Sequence, residues 1–305
     1  MRHLISTREL SKKDMMEIWD IASEIESKRL HKSSWCLLEG KTVTLAFFEP
    51  STRTRLSFQL AAKRLCANVL PTVGEEALSL AKGESFHDTV MVLDELSDVL
   101  VIRHWMEGAA KYASEIAKHA IVNAGDGRNY HPTQTLIDLY TVKKRFGTID
   151  GLSFALVGDL RYARTAKSLL MALTKFNVKS IYIVAPPQLK PHPWIVEELR
   201  RNNVRVFETD NLNEIIGMVD VLYVTRIQKE RIPDPAEYEK LRGSYRVTLE
   251  LVKRGKSDLL VLHPLPRLDE LDYEIDSTPH AGYLEQVRVA VPVRMAALAW
   301  SYGVV

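Results

Sequence analysis

The stretch Thr42-Val43-Thr44-Leu45-Ala46-Phe47-Phe48-Glu49-Pro50-Ser51-Thr52-Arg53-Thr54-Arg55 is a strand that turns directly into a helix start. Its first seven residues are β-branched or apolar, which suits extended backbone in a sheet. Pro50 ends the extended run, and Ser51 or Thr52 can cap the helix that follows. Leu56, Leu60 and Leu65 then recur at helical spacing.

The same alternation runs through the rest of the chain. Strand-like segments are expected at 99–104, 120–124, 153–157, 180–185, 205–208, 221–225 and 259–263. Helical stripes lie between them, such as Leu136, Leu139 and Tyr140, or Leu169, Leu170 and Leu173. Strand, helix, strand in repetition predicts an α/β fold with parallel sheets and helices on both faces.

A chain of 305 residues suggests two domains. We expect two doubly wound parallel-sheet domains joined by a long helix over 132–147, bounded by Pro132 at its first turn and Gly147 at its stop. The first domain then covers 1–131 and the second 148–289, with about 290–305 completing the first. Pro292 is expected to interrupt the last apolar stretch, because the residue before a proline avoids helical geometry. A final C-terminal helix from Pro292 to about Tyr302 would cross back to the first domain.

Charge and composition exclude several classes of function. Lys+Arg number 41 against 39 Asp+Glu, a net charge of +2, so no nucleic-acid coat or polybasic membrane anchor is indicated. The most apolar stretch, Val287 to Val305, is broken by Arg288, Pro292 and Arg294, which argues against a membrane span. The first ten residues include Arg2, Arg8 and Glu9 and no apolar signal core, so a cytoplasmic location is expected. Cys36 and Cys66 fit no zinc or redox spacing and are expected to be buried thiols. Neither GxxxxGK[ST] nor GxGxxG occurs, and no metal or cofactor is called for.

Ligands of open α/β sheets bind beyond the carboxyl ends of the strands. Five of six inspected strand ends carry arginine: Arg53 and Arg55, Arg103, Arg161 and Arg164, Arg226 and Arg231, and Arg267. The sixth leads to His131 and Gln134. A chain of nearly balanced charge has placed its cations where ligands go, which points to small, strongly anionic substrates. Ser51–Arg55 is the sharpest signal, since a helix N-terminus with hydroxyls and a guanidinium is suited to phosphate. His131, just outside its helix, could polarise a carbonyl or simply cap the helix. Pro264 and Pro266 remove backbone donors after a buried strand, which makes an ordinary tight turn or leaves rigidly aimed carbonyl acceptors.

Glu49-Pro50-Ser51-Thr52-Arg53-Thr54-Arg55 resembles the carbamoyl-phosphate motif of the aspartate/ornithine carbamoyltransferases. His131-Pro132-Thr133-Gln134-Thr135-Leu136 with Asp138 is similar to the second motif of that family. Val224–Arg231 and His263-Pro264-Leu265-Pro266-Arg267 resemble its aspartate branch, whereas the His-Cys-Leu-Pro and Asp-x-x-x-Ser-Met-Gly patterns of the ornithine branch are absent. The resemblance runs from about Leu4 to the C-terminus.

It implies carbamoyl transfer from carbamoyl phosphate to the α-amino group of L-aspartate, a step of pyrimidine biosynthesis. Another amine such as ornithine is the alternative. The first domain would then be the carbamoyl-phosphate domain and the second the aspartate domain. Ser51, Thr52, Arg53 and Thr54 would hold the phosphate, and Thr54, Arg103 and His131 the carbamoyl oxygen. Gln134 and the carbonyls of Leu265 and Pro266 would take the carbamoyl NH₂. Arg164, Arg226 and Gln228 would bind the aspartate carboxylates, with Glu49 and Glu230 serving domain closure. The loop Ala77–Ser85 resembles one that reaches a neighbouring active site, so Ser79 and Lys82 would act across a homotrimer interface, Lys82 also on aspartate. Whether regulatory chains join such trimers into a dodecamer is left open by the sequence.

Overall fold

The computed structural model describes residues 1–27, 35–74, 83–227, 234–241 and 245–305. It divides into two units, Met1–Leu136 with Val289–Val305, and Ile137–Arg288.

The first unit is built on four parallel strands, β1 (Thr42–Phe47), β2 (Asn68–Val73), β3 (Val99–His104) and β4 (Ala120–Asp126), in the order β2-β1-β3-β4. β3 and β4 are buried along their whole length, as expected when helices cover both faces. The sequence reading passed over β2, whose Asn68 and Pro71 dilute the strand signal. Proline is tolerated there because β2 is an edge strand with one row of N–H groups outside the ladder. At the other edge, Leu4 bridges to Val122, its N–H donating to the Ile121 carbonyl at 2.8 Å.

Helix α1 (Lys12–Ser27) buries Met15, Ile18, Trp19, Ala22 and Ile25, a stripe at three- and four-residue spacing. The Trp19 indole N–H donates to the Leu136 carbonyl at 3.0 Å. α2 (Thr52–Arg64), α3 (Phe86–Glu95) and α4 (Ala109–Ile116) complete the strand–helix alternation.

The cysteines overturn the expectation of buried thiols: Cys36 and Cys66 form a disulfide with Cα atoms 4.7 Å apart. The end of α2 brings them together. The Cys66 N–H donates to the Lys63 carbonyl and the Ala67 N–H to the Ala62 carbonyl, with Cys66 at φ 62°, which is a Schellman ending without glycine. The turn carries Cys66 back toward the segment where the Leu38 N–H donates to the Leu65 carbonyl at 3.0 Å.

The second unit holds β5 (Ser153–Gly158), β6 (Ser180–Val184), β7 (Val206–Thr209), β8 (Val221–Thr225) and β9 (Leu260–Leu262), parallel and ordered β7-β6-β5-β8-β9. Ala155, Val157, Val184, Leu222, Val224 and Val261 lie in its core. Its helices are α6 (Arg164–Leu173), α7 (Pro193–Arg201), α8 (Leu212–Ile215), α9 (Pro235–Leu241) and α10 (Leu249–Lys253).

Two helices run from one unit into the other. α5 (Pro132–Phe146) begins at Pro132 as expected and stops at Gly147, φ 75°, whose N–H donates to the Lys143 carbonyl. α11 (Gly282–Tyr302) corrects the expected break, because it continues through Pro292. A helix-interior proline costs ~3 kcal/mol or more. Val289, Val293, Leu298 and Trp300 are all buried around it, and burying such side chains stabilises by ~1.5–3 kcal/mol each, enough to outweigh the lost hydrogen bond.

Candidate active site

Each unit presents its own set of chemistry-bearing side chains at the carboxyl ends of its strands. In the first unit, Ser51 takes the N-cap position of α2 in extended geometry and makes no side-chain cap bond to its helix. The hydroxyl is therefore not used by the helix it precedes. No acidic residue stands in the first turn to neutralise the positive end of the peptide dipoles. Thr52 and Arg53 are exposed, while Thr54 is buried. Behind them, Ser57 donates to the Arg53 carbonyl at 2.6 Å and receives a hydrogen bond from Arg294 of α11. The Arg294 guanidinium lies 5.0 Å from the Phe58 ring centroid, so the C-terminal helix braces α2.

Arg103 ends β3 in a buried position. Its guanidinium donates to the Ala124 carbonyl at 3.2 Å and to Glu49 Oε1 at 3.1 Å. Sequence reasoning linked Glu49 to domain closure. The structure places its carboxylate on Arg103, which orients that guanidinium from the loop after β1.

The route from β4 to His131 is organised by Asp126, which is 1% exposed. Its Oδ1 accepts from Asn123 Nδ2 and the Tyr130 N–H, both at 2.9 Å. Its Oδ2 accepts from the Gly108 N–H at 2.9 Å and Asn129 Nδ2 at 3.1 Å. Gly127 lies at φ 52°, where a Cβ would stand 2.8 Å from the Trp105 carbonyl oxygen. This loop delivers buried His131 to the start of α5, with the Gln134 N–H donating to its carbonyl at 3.0 Å and Gln134 itself half-buried. The organising role of Asp126 was not foreseen, although Gly125-Asp126-Gly127 after a strand was the visible trace of it.

In the second unit, β5 ends at Gly158 and Asp159. Asp159 Oδ1 accepts the backbone N–H groups of Arg161 (3.1 Å) and Tyr162 (2.8 Å), an Asx turn that leads into α6. Arg164 is the first residue of that helix and is 9% exposed. Neighbouring β8 ends at Thr225, whose hydroxyl donates to the Val157 and Asp159 carbonyls at 3.1 Å. Arg226 and Ile227 follow, half-buried. Gly158, Thr225, Ile227, Tyr245 and Glu270 line a cleft at this end of the sheet. Burial and then Asp210 push the Tyr245 phenol up from its ordinary pKa.

After β9 the chain enters His263-Pro264-Leu265-Pro266. The Leu265–Pro266 peptide is cis and Leu265 has φ 54°. Next to it Arg267 is engaged by Asp276 and two tyrosine rings. It makes a paired contact to both Asp276 carboxylate oxygens at 2.5 Å and lies 4.0 Å from the Tyr273 ring centroid. Asp138, singled out by the second motif, is fully buried in α5 and accepts from the Tyr223 hydroxyl at 3.0 Å and Gln286 Nε2 at 2.5 Å. Burial, reinforced by the Asp138 charge, raises the Tyr223 phenol well above its usual pKa.

Ser79, Lys82, Gln228 and Glu230 lie outside the described residues. Among the described residues, no group of three or more His, Cys, Asp or Glu is gathered to hold a metal ion, and no helix is long and apolar enough to cross a membrane.

Residues 2–144 match the family described as aspartate/ornithine carbamoyltransferase, carbamoyl-P binding domain, and residues 150–301 match its Asp/Orn binding domain. The chain is 62% identical over 305 residues to the aspartate carbamoyltransferase catalytic subunit of Ignicoccus hospitalis, covering 100% of both. It is 50% identical to that of Thermococcus kodakarensis, over 99% of this chain and 97% of the other. Among solved structures, the catalytic subunit of M. jannaschii aspartate transcarbamoylase superposes with a TM-score of 0.89 at 47% identity, over 98% of this chain and 97% of that one. The Trypanosoma cruzi aspartate transcarbamoylase in complex with N-(phosphonacetyl)-L-aspartic acid does so at 0.92 and 37% identity, over 98% and 95%. On the strength of two matches that together span nearly its whole length, the chain belongs to the aspartate/ornithine carbamoyltransferase family.

Proposed function

We propose that this chain transfers the carbamoyl group of carbamoyl phosphate to the α-amino group of L-aspartate, giving N-carbamoyl-L-aspartate and phosphate. The observation that carries this reading is the start of α2. A long helix begins with Ser51-Thr52-Arg53-Thr54, no acid in its first turn and an N-cap hydroxyl that its own helix does not use. A helix start of that kind suits an anion, and the curated relatives at 50–62% identity are aspartate carbamoyltransferase catalytic subunits.

In this mechanism Ser51, Thr52, Arg53 and Thr54 hold the phosphate, while Thr54, Arg103 and His131 face the carbamoyl oxygen. The aspartate amine attacks the carbamoyl carbon, and charge gathers on that oxygen in the tetrahedral intermediate. Fixed donors stabilise it without reorganising at the moment of reaction. The C–O bond to phosphate then breaks, and the departing phosphate takes the amine proton. Gln134 and the Leu265 and Pro266 carbonyls hold the NH₂ group. Arg164 and Arg226, with Gln228, pair with the aspartate carboxylates. Two guanidiniums there disfavour an amine with a cationic side chain such as ornithine.

The resemblance in Ala77–Ser85 supports a homotrimer in which Ser79 and Lys82 serve a neighbouring site, in a cytoplasmic enzyme of pyrimidine biosynthesis. The test is a product assay with carbamoyl phosphate and either aspartate or ornithine. Carbamoylaspartate as the dominant product is expected, and equal or greater carbamoylation of ornithine overturns the reading. Mixing Arg53→Ala with Lys82→Ala subunits is expected to restore part of the activity; no recovery in verified mixed trimers rejects the shared site.

A further inference from the structure

We propose that His263 is the positioning residue for the Leu265 and Pro266 carbonyls, its ring clasped between Glu270 and the Leu265 amide so that the turn after β9 has one shape. This deepens the carbamoyl-transfer reading and rests on it, since those carbonyls are the proposed acceptors for the carbamoyl NH₂.

His263 is 2% exposed, and its backbone N–H and both ring nitrogens are engaged. Its backbone N–H donates to Gln286 Oε1 at 3.0 Å, and Gln286 Nε2 in turn donates to Asp138 at 2.5 Å. The strand end is thereby tied to α11 and α5. On the ring, Nε2 lies 2.8 Å from Glu270 Oε1, and Nδ1 lies 2.8 Å from the Leu265 amide nitrogen. A carboxylate only accepts and an amide N–H only donates, so the tautomer follows: Nε2 carries the hydrogen and Nδ1 the lone pair.

Glu270 closes the turn from its far side by accepting the Leu268 N–H at 3.1 Å on Oε2. One imidazole and one carboxylate thus hold the Leu265 and Leu268 N–H groups, one on each side of the Leu265–Pro266 peptide. Leu265 needs such a hold, because φ 54° is disfavoured for a side chain of its size. Burial pushes the His263 pKa down. Glu270 opposes that shift, and Arg267 and Arg226 add to it, so the ring is neutral near pH 7 and Nδ1 stays an acceptor.

Two variants separate the ring's two ends. His263→Gln retains a donor toward Glu270 and loses the acceptor for Leu265, whereas His263→Asn keeps an acceptor near the place of Nδ1. The probes are carbamoyl phosphate, acetyl phosphate (a methyl in place of NH₂) and inorganic phosphate, with equilibrium dissociation constants measured for each on the intact enzyme. Wild type is expected to prefer carbamoyl over acetyl phosphate by about tenfold or more, the worth of one to two hydrogen bonds. His263→Gln should bring that ratio toward unity and lower kcat by about tenfold, with phosphate binding unchanged, and His263→Asn should recover most of both.

A Gln variant with the wild-type ratio overturns the proposal, as does a loss of phosphate affinity in step with carbamoyl phosphate. If wild type itself shows no preference, the carbonyl-acceptor reading is what fails, and the role of His263 falls with it. Should the Gln variant not fold, Glu270→Gln, which no longer compels the ring tautomer, is expected to lower the ratio in the same direction. An unchanged ratio there is decisive against the clasp.

Discussion

The Glu49 carboxylate and the Arg103 guanidinium meet at 3.1 Å, one from the loop after β1 and the other from the end of β3. A second guanidinium nitrogen of Arg103 donates to the Ala124 carbonyl near the end of β4, so three adjacent strands fix one cation. Arg103 is buried and Glu49 half-buried, which makes the pair a device for orientation more than for stability. Removing the donor in Arg103→Ala is expected to lower kcat/KM about 10²–10³-fold, the usual cost of losing one oxyanion donor. Glu49→Gln keeps the shape and drops the charge. It should cost about tenfold, mostly in kcat, because the guanidinium remains but is less firmly aimed. Steady-state kinetics of the two variants check this, and a Glu49→Gln enzyme with unaltered kcat counts against the orienting role.

Gly158 closes β5 at φ 105°, and a Cβ there would stand 2.2 Å from the Thr225 carbonyl oxygen. That atom is backbone of the neighbouring strand, so the clash is relieved only by parting β5 from β8. Gly158→Ala is expected to destabilise the protein by about 3 kcal/mol or more, within the range for strain at a special backbone geometry added to overpacking. It should also weaken aspartate binding, since Arg164 and Arg226 follow these two strand ends. Urea unfolding and the aspartate KM are the measurements.

Much of this was legible in the chain because the central strands are apolar runs bounded by clear stops. Residues 99–104 and 221–225 are strands over those same bounds, and the others differ by a residue or two at their ends. The Ser51–Arg55 helix start was legible for the same reason, as a local pattern of cap, hydroxyls and arginines. What escaped was non-local. β2 was hidden by Pro71, acceptable only once an edge position is known. The cysteine pairing depends on how α2 ends, 30 residues of chain after Cys36. Gln286 reaches His263 across 23 residues, and neither position carries a local signature of the other. Sequence patterns displayed the groups proposed to face substrate; the groups that hold them come from tertiary packing.

The Cys36–Cys66 bridge closes a loop of 30 residues that contains β1 and α2. Such a loop removes chain entropy from the unfolded state worth about 3–4 kcal/mol. Cys36→Ser with Cys66→Ser is expected to lose about that much, read as a lower urea midpoint. The same drop should follow when wild type is reduced, and reduction should leave the double variant unaffected. Activity at 25 °C should be nearly unchanged, because the ending of α2 is also made by backbone hydrogen bonds at Lys63 and Ala62. Equal midpoints with and without reductant would rule out a stabilising role.

The buried His263 leaves a mark on the pH dependence of stability. Burial lowers its pKa in the folded protein below the ordinary 6.5, with Glu270 opposing, while the unfolded chain returns to the ordinary value. Between the two values the unfolded state binds a proton that the folded state refuses. Stability contributed by the neutral ring is therefore complete above about pH 6.5 and declines as pH falls toward the folded pKa, where the loss levels off. His3 is lowered too, through burial and Lys111, and slopes the same way, so wild type alone does not isolate the effect. The difference between wild type and His263→Asn does, since His3 and the carboxylates are common to both. Their unfolding free energies should converge as pH falls from 7.5 to 5, with wild type the more stable at the upper end. Parallel curves over that range would mean that His263 titrates alike in both states, and the neutral, Nδ1-accepting ring would have to be abandoned.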